Sequence, residues 1–303
     1  MRRGVNLGNA LEAPHEGDWG YTIAPDHLIA IAGAGFDGVR LPVRWDAHAA
    51  HAPPYTIEPV FLARVEDVVS AALDQQLIVQ LDMHHYDDLI DRPEREQARF
   101  ASMWRQIATH FSGAPETLLF EPLNEPNGPN WPISRVNMFE ELAISTFRAV
   151  TPTRYAVRGG PNWNSIDGLV EWSPPASLAH CGVTVHYYEP HAFTHQNAPW
   201  LGADAPHFDR EWGTPADFRA VTADVERAAR WANLHHLPLQ LGEFGVNDAV
   251  PLAQRARWTR SVRQAFENVG AGWCVWDFAG AFPIWDLAEK RFIPEMLAAL
   301  IDQ

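Results

Sequence analysis

The chain has 303 residues, 47% of them hydrophobic and 20% charged, which fits one α/β domain with a large core and argues against disorder. Its formal charge of −15 makes phosphate backbones and anionic membranes poor partners; the charge reads as solubility, and a neutral substrate suits it better than a polyanion. No apolar run reaches the ~18 residues of a membrane span, and the two cysteines, Cys181 and Cys274, read as buried free thiols in strand-like runs rather than as a disulfide framework.

The opening MRRGVNLGNAL moves straight into a strand at residues 4–7 without an apolar h-region, so no signal peptide is read there. A cytoplasmic chain and the mature domain of a secreted one both fit. A helix opens at Pro25 and Asp26 and stops at Gly33 and Gly35. A strand at 38–41 follows, then a helix from Pro59 to about Gln75 whose apolar face is Val60, Phe61, Val65, Val68, Val69 and Leu73. The alternation continues with a strand at 77–81, a helix that follows Pro93 and runs to about Phe111, a strand at 118–123, a helix containing 138–150 and a strand at 155–158. The weakest helix signal lies near 165–170. Strands at 182–185, 237–241 and 272–276 alternate with helices at 215–234, 253–269 and 293–300. The stretch 187–215, rich in His, Trp and Pro, reads as one long loop, which in a compact domain is usually functional.

Eight β-then-α units predict a single closed (β/α)8 TIM barrel over residues 1–303. The runner-up, an open doubly wound sheet, usually carries a Gly-rich phosphate loop after its first strand, and GVNLGNAL lacks that spacing. Polar and aromatic residues recur where each strand ends: Asn9 and Glu12, Arg40, His84 and His85, Asn124 and Glu125, Asn162 and Trp163, His186 and Tyr188, Glu243, then Trp276 and Asp277. In a barrel these ends converge on one mouth, where active sites are built.

Two carboxylates stand out, Glu125 in LNEPNG and Glu243 in LGEFG, each flanked by residues that permit sharp turns: Pro126 and Gly128, then Gly242 and Gly245. Opposed carboxylates are what glycoside hydrolysis requires, and a retaining mechanism needs them about 5–5.5 Å apart. Arg40 is expected to hold Glu243 ionised as the nucleophile, while burial and the charge of Glu243 keep Glu125 protonated as the acid. Asn124 suits the sugar 2-hydroxyl, Tyr188 the orientation of Glu243, and His84, His85 and His186 the cleft walls. Trp276 suits a floor under the sugar, because sugar C–H faces pack on aromatic rings. Trp104, in mid-helix, reads as core.

The chain resembles glycoside hydrolase family 5, the cellulase-type endoglucanases. GVNLGNALEAP, GFDGVRLPVRW, LDMHHYDD, FEPLNEPNG, VHYYEPHAFTHQ, LGEFG and VWDF carry the resemblance, in order, from Gly4 to Phe278. It implies Glu125 as acid/base and Glu243 as nucleophile. Arg40, His84, Asn124, His186, Tyr188 and Trp276 match the site residues shared across that family. Asn9, Glu12, His85, His195 and Trp200 match sugar-contacting positions of the nearest branch, some of whose members also accept mannans. Pro199 and AFPIWD depart from the branch and bear on subsite preference, not on the reaction.

The expected activity is therefore endo-cleavage of β-1,4-glucan by a monomer without metal or cofactor, its partner a β-linked polysaccharide. A mannanase or mixed-linkage glucanase with the same mechanism is the alternative. More remote are a metal-dependent hydrolase using His186, His191 and His195 or His84 and His85, and a carbohydrate-binding barrel without turnover.

Overall fold

The computed structural model describes residues 1–175, 178–205 and 210–301. Eight short strands, β1 (Arg3–Asn6), β2 (Gly38–Leu41), β3 (Ile78–Asp82), β4 (Leu118–Glu121), β5 (Ala156–Arg158), β6 (Cys181–His186), β7 (Leu239–Glu243) and β8 (Gly272–Val275), close into one parallel barrel in chain order. β1 pairs with both β2 and β8, in register Val5 to Val39 and Val5 to Val275. The predicted (β/α)8 barrel is thus the observed fold.

Helices α1 (Pro25–Gly33), α2 (Pro59–Asp74), α3 (Asp87–Asp91), α4 (Pro93–His110), α5 (Ile133–Arg148), α6 (Pro161–Asn164), α7 (Ile166–Glu171), α8 (His191–Thr194), α9 (Pro215–Leu234), α10 (Leu252–Asn268) and α11 (Pro294–Leu300) fill the connections. Proline stands at the first turn of α1, α2, α4, α6, α9 and α11, where its missing N–H and fixed φ cost nothing. α9 adds a capping box between Thr214 and Asp217. On α2 the buried stripe is Phe61, Val65, Val68, Val69 and Ala72, at helical spacing, whereas Val60 is 84% exposed and leaves the face assigned to it from sequence. A two-stranded ribbon, β9 (Trp285–Asp286) with β10 (Arg291–Phe292), follows β8.

Alternate strand residues face outward and form the sheet side of the main core: Val5, Val39, Val79, Phe120, Val183, Leu241 and Trp273 are fully buried. Trp104 is buried against Phe120 and Phe147, as its mid-helix position suggested. Cys181 and Cys274 are free and buried. The long loop read at 187–215 contains α8 and a 3-10 turn at Pro199–Asp204; its residues 206–209 lie outside the described residues.

The barrel interior is polar above its base. Arg40 on β2 reaches Asn6 of β1, Asp82 of β3, Glu121 of β4 and Glu243 of β7, and a side chain touching four strands must cross the interior. This layer is the floor on which the loops at the C-terminal strand ends stand.

Candidate active site

Glu243 is the last residue of β7, and His186 the last of β6, where a register shift after Val185 turns its ring toward β7. A Cβ on Gly242 would meet Thr184 Oγ1 at 2.4 Å and His186 Nε2 at 3.2 Å, so glycine there serves the close approach of the Thr184 hydroxyl first and of this ring second. Neither Gly242 nor Gly245 has positive φ; of the glycines read as turn formers, Gly128 does, at +79°. Asn124 and Glu125 follow β4, and the Asn124 N–H donates to the Met83 carbonyl at 3.2 Å, which fixes the loop against β3.

The structure brings Glu125 and Glu243 together. One oxygen of each carboxylate and one ring nitrogen of His186 lie within 4.8 Å of one another. His186 Nδ1 is 2.6 Å from Glu125 Oε1 and 3.6 Å from Glu243 Oε2. The environments of the two acids differ. Glu243, with a side chain 6% exposed, accepts from Arg40 Nη1 at 2.7 Å on Oε1 and from the Tyr188 hydroxyl at 2.9 Å on Oε2. Glu125, 28% exposed, has no guanidinium on its oxygens among the described residues.

Burial pushes Glu125 up to about 7, against the more distant positive charge of Arg40 and with the carboxylates of Glu121 and Asp82 adding to the rise. Burial also raises Glu243, and His186, Arg40 and the Tyr188 hydroxyl work against that rise. Beneath the pair, Arg40 is fully buried and bidentate to Glu121 at 2.7 and 2.9 Å, with a further donation to Asn124 Oδ1 at 2.7 Å. Asp82 accepts from Arg40 and from His84 Nδ1 and is pushed up to about 6 by burial. Gln80 donates to Glu121 at 2.7 Å. Asn6, Gln80, Asp82 and Glu121 were not singled out in the sequence, because polar residues inside apolar strands give no periodic signal. Reading every acid within two residues of a strand end would have flagged Asp82 and Glu121.

A cleft of about 990 Å³ opens over this floor. Of the residues singled out, Asn9, Glu12, His84, His85, Asn124, Glu125, His186, Tyr188, His195, Trp200, Glu243 and Trp276 line it; Arg40 lies below. Trp276 stacks on His84 with ring centroids 5.4 Å apart and planes at 5°. Burial lowers His84 and His186, the latter against the raising charges of Glu243, Glu121 and Asp82, and burial takes His85 and His195 down to about 3. Glu12 is fully buried; its carboxylate accepts the N–H groups of Asn9 and Ala10, and burial raises it to about 8. Trp19, 42% exposed, and Trp163, 53% exposed, also line the cleft with Trp200, 51% exposed, so every strongly exposed tryptophan among the described residues faces the cleft. Trp163 was seen at the end of β5, but Trp19 was not, because the turns that carry it have no regular period.

Among the described residues the one group of three side chains with metal-ligand spacing is Glu125, His186 and Glu243. His191 and His195 stack on each other, with centroids 3.9 Å apart, and form no such group with His186.

A family model described as Cellulase (glycosyl hydrolase family 5) matches residues 6–281. Endoglucanase H of Acetivibrio thermocellus is 34% identical over all of this chain, which spans 33% of that protein's length. Cel5A of Thermotoga maritima, solved in complex with cellobiose, is 37% identical with a TM-score of 0.96, covering 99% of this chain and 97% of that one. The same enzyme solved in complex with mannotriose superposes at a TM-score of 0.96, with 36% identity and the same coverage.

Proposed function

The chain belongs to glycosyl hydrolase family 5, and from that premise we propose that it is an endo-acting, retaining β-1,4-glucanase, with its 303 residues forming one catalytic domain that works as a monomer on a β-linked polysaccharide. The observation that carries the reading is the pair of carboxylates: two acids with an oxygen of each within 4.8 Å, one braced by a guanidinium and a hydroxyl, the other not. Oxygens that approach this closely suit the ~5–5.5 Å carboxyl separation of retaining enzymes better than the ~6.5–9.5 Å that seats a water between the acids of inverting ones.

In the first step an oxygen of Glu243 attacks the anomeric carbon while Glu125 gives its proton to the glycosidic oxygen, and the C–O bond to the leaving sugar breaks. Arg40 pins Oε1 in an ionic bond, so Oε2, which receives only the Tyr188 hydroxyl, keeps the more available lone pair. Forming the glycosyl ester removes the charge on Glu243. Glu125, now a carboxylate, takes a proton from water; the water oxygen bonds to the anomeric carbon and Glu243 leaves as a carboxylate. Asn124 is held by Arg40 through its Oδ1 and by His84 Nε2, 3.4 Å from its Nδ2, which leaves one amide N–H for the sugar 2-hydroxyl. A cleft this large, walled by three exposed tryptophans, has room for several sugar rings, which suits attack within a chain.

Proton NMR of the first product tests this. The β-anomer is expected to appear first and to mutarotate afterwards; an initial α-anomer would overturn the double displacement. The second reading is a β-1,4-mannanase, favoured by the mannotriose complex of Cel5A. Turnover on a panel of soluble glucan, mixed-linkage glucan and mannan separates the two, and no release of oligosaccharides from any of them would leave a binding barrel.

A further inference from the structure

Asp82, the last residue of β3, is fully buried and does not line the cleft. It nevertheless belongs to a closed ring of polar contacts with two residues that do, His84 and Asn124. Arg40 Nη2 lies 2.7 Å from Asp82 Oδ2 and donates to Asn124 Oδ1, also at 2.7 Å. Asp82 Oδ2 is 2.8 Å from His84 Nδ1, and His84 Nε2 is 3.4 Å from Asn124 Nδ2, which closes the ring. The second oxygen of Asp82, Oδ1, accepts the Val43 N–H at 3.1 Å, while the Val43 carbonyl accepts the His84 backbone N–H at 3.0 Å. Acid and imidazole are thus anchored to one residue, and Trp276 stacks on the imidazole from the other side.

The direction of every bond in the ring is set by a group that can play only one part. A guanidinium only donates, so the oxygen of the Asn124 amide faces Arg40 and its NH2 faces His84. An amide NH2 only donates, so the ring nitrogen facing it, Nε2, must be bare. A carboxylate only accepts, so Nδ1 must carry the proton that meets Asp82. Burial and the charge of Arg40 push His84 well below its ordinary value, so the imidazole has this one proton and no second. The side of the ring that bears the proton therefore decides whether the Asn124 amide is held or repelled.

We propose that Asp82 is a positioning residue for the cleavage step: it keeps the His84 proton on Nδ1, and the bare Nε2 then holds the Asn124 amide with one N–H left for the 2-hydroxyl of the sugar being cleaved. The proposal rests on the glycosidase reading above. Asp82→Asn isolates the effect with no change in shape. The Val43 N–H keeps the carboxamide oxygen at the Oδ1 position, so the new NH2 takes the place of Oδ2 and faces His84 Nδ1. His84 must then bare Nδ1 and carry its proton on Nε2, where two donors, this N–H and the Asn124 NH2, stand face to face.

The test uses the full chain and has two arms. In the first, nitrogen NMR of the histidine-labelled protein reads which ring nitrogen of His84 is protonated, with His84→Gln identifying its signals. The expected result is a proton on Nδ1 in the unaltered enzyme and on Nε2 in Asp82→Asn. A proton on Nε2, or on both nitrogens, in the unaltered enzyme would overturn the proposal, and this reading stands even if Asp82→Asn folds poorly. The second arm compares 4-nitrophenyl β-cellobioside with its counterpart lacking the 2-hydroxyl on the ring being cleaved. Asp82→Asn should lose about tenfold in kcat/KM on the first, the scale of one hydrogen bond, and less than about threefold on the second, where there is no 2-hydroxyl to hold. A loosened barrel interior or a shifted Arg40 would lower both rates alike. Equal losses on the two substrates, or none on either, in a variant whose thermal melt shows it folded, would overturn the positioning role while leaving the glycosidase reading intact. Failure of the unaltered enzyme to turn over either substrate would remove both.

Discussion

Tyr188→Phe probes the electrostatics of the nucleophile with little change in packing. The ring stays against His195 and Phe282, and only the hydroxyl that donates to Glu243 Oε2 at 2.9 Å is lost. That bond favours the ionised form of Glu243, so its removal moves the acid further above its ordinary value, in the direction burial already pushes it. A hydrogen bond to a charged group contributes about 1.5–3 kcal/mol, and about 1.4 kcal/mol corresponds to one pH unit. The acid limb of kcat/KM, which reports ionisation of Glu243, should therefore move up by about one to two pH units. The shift stays finite because Arg40 still holds Oε1. The assay is the pH profile on 2,4-dinitrophenyl β-cellobioside, whose leaving group needs no proton from Glu125, so that one ionisation dominates. An acid limb unmoved within about 0.3 unit, in a variant with unaltered melting temperature, would refute the idea that Tyr188 tunes this carboxylate.

Burial pushes Glu125 up to about 7, so under the proposed acid role kcat/KM on a glucan should fall as pH rises through about 7; Glu125→Gln should abolish that limb and lower the rate by about 10²–10⁴-fold, far less on the dinitrophenyl substrate. Arg40→Met leaves Asp82, Glu121 and Glu243 facing one another without their shared cation, and urea melts should show a loss of about 3–5 kcal/mol at neutral pH that shrinks as pH falls through about 6 and Asp82 takes up a proton. Glu12 is raised in the folded state to about 8, so its contribution to stability is complete below pH ~4.5 and is lost as pH rises through about 8; Glu12→Gln should flatten the stability profile between pH 5 and 9, and an unchanged slope would contradict the assignment.

The architecture was legible because β strands and amphipathic helices alternate with clear punctuation, and the helix starts at Pro25, Pro59 and Pro215 were read to the residue. Strand ends were not. β7 was placed at 237–241 but runs Leu239–Glu243, and β3 extends one residue further to Asp82, because hydrophobicity hides strand residues whose polarity is satisfied inside the barrel. β4 was read to 123 but its ladder stops at Glu121, where the chain turns to present Asn124 and Glu125. The weak helix signal after β5 resolves into α7 preceded by the one-turn α6, three of whose four residues, Asn162 to Asn164, are left-handed, which no periodicity encodes.

The site was legible residue by residue only where polar types stand at strand ends. Arg40 was expected to brace Glu243 and does so at 2.7 Å. That it also binds Asp82 and Glu121 follows from barrel closure, which brings β2, β3, β4 and β7 to one interior. His186 was expected to line the cleft; its contact with both carboxylates comes from the register shift in β6 and the missing side chain at Gly242. The tie from Asp277 to Asn9 joins the two ends of the chain across 268 positions, and no local pattern announces it.

The central claim is that Glu243 makes a covalent bond to the sugar. It is tested most directly by incubating the enzyme with 2-deoxy-2-fluoro-β-cellobiosyl fluoride, whose fluorine slows release of the glycosyl ester, followed by mass spectrometry of the intact chain and its peptides. The expected result is one sugar adduct per chain, carried by the peptide containing Glu243 and absent from Glu243→Gln. An adduct on another residue, or steady turnover of the fluoride with no adduct, would contradict it.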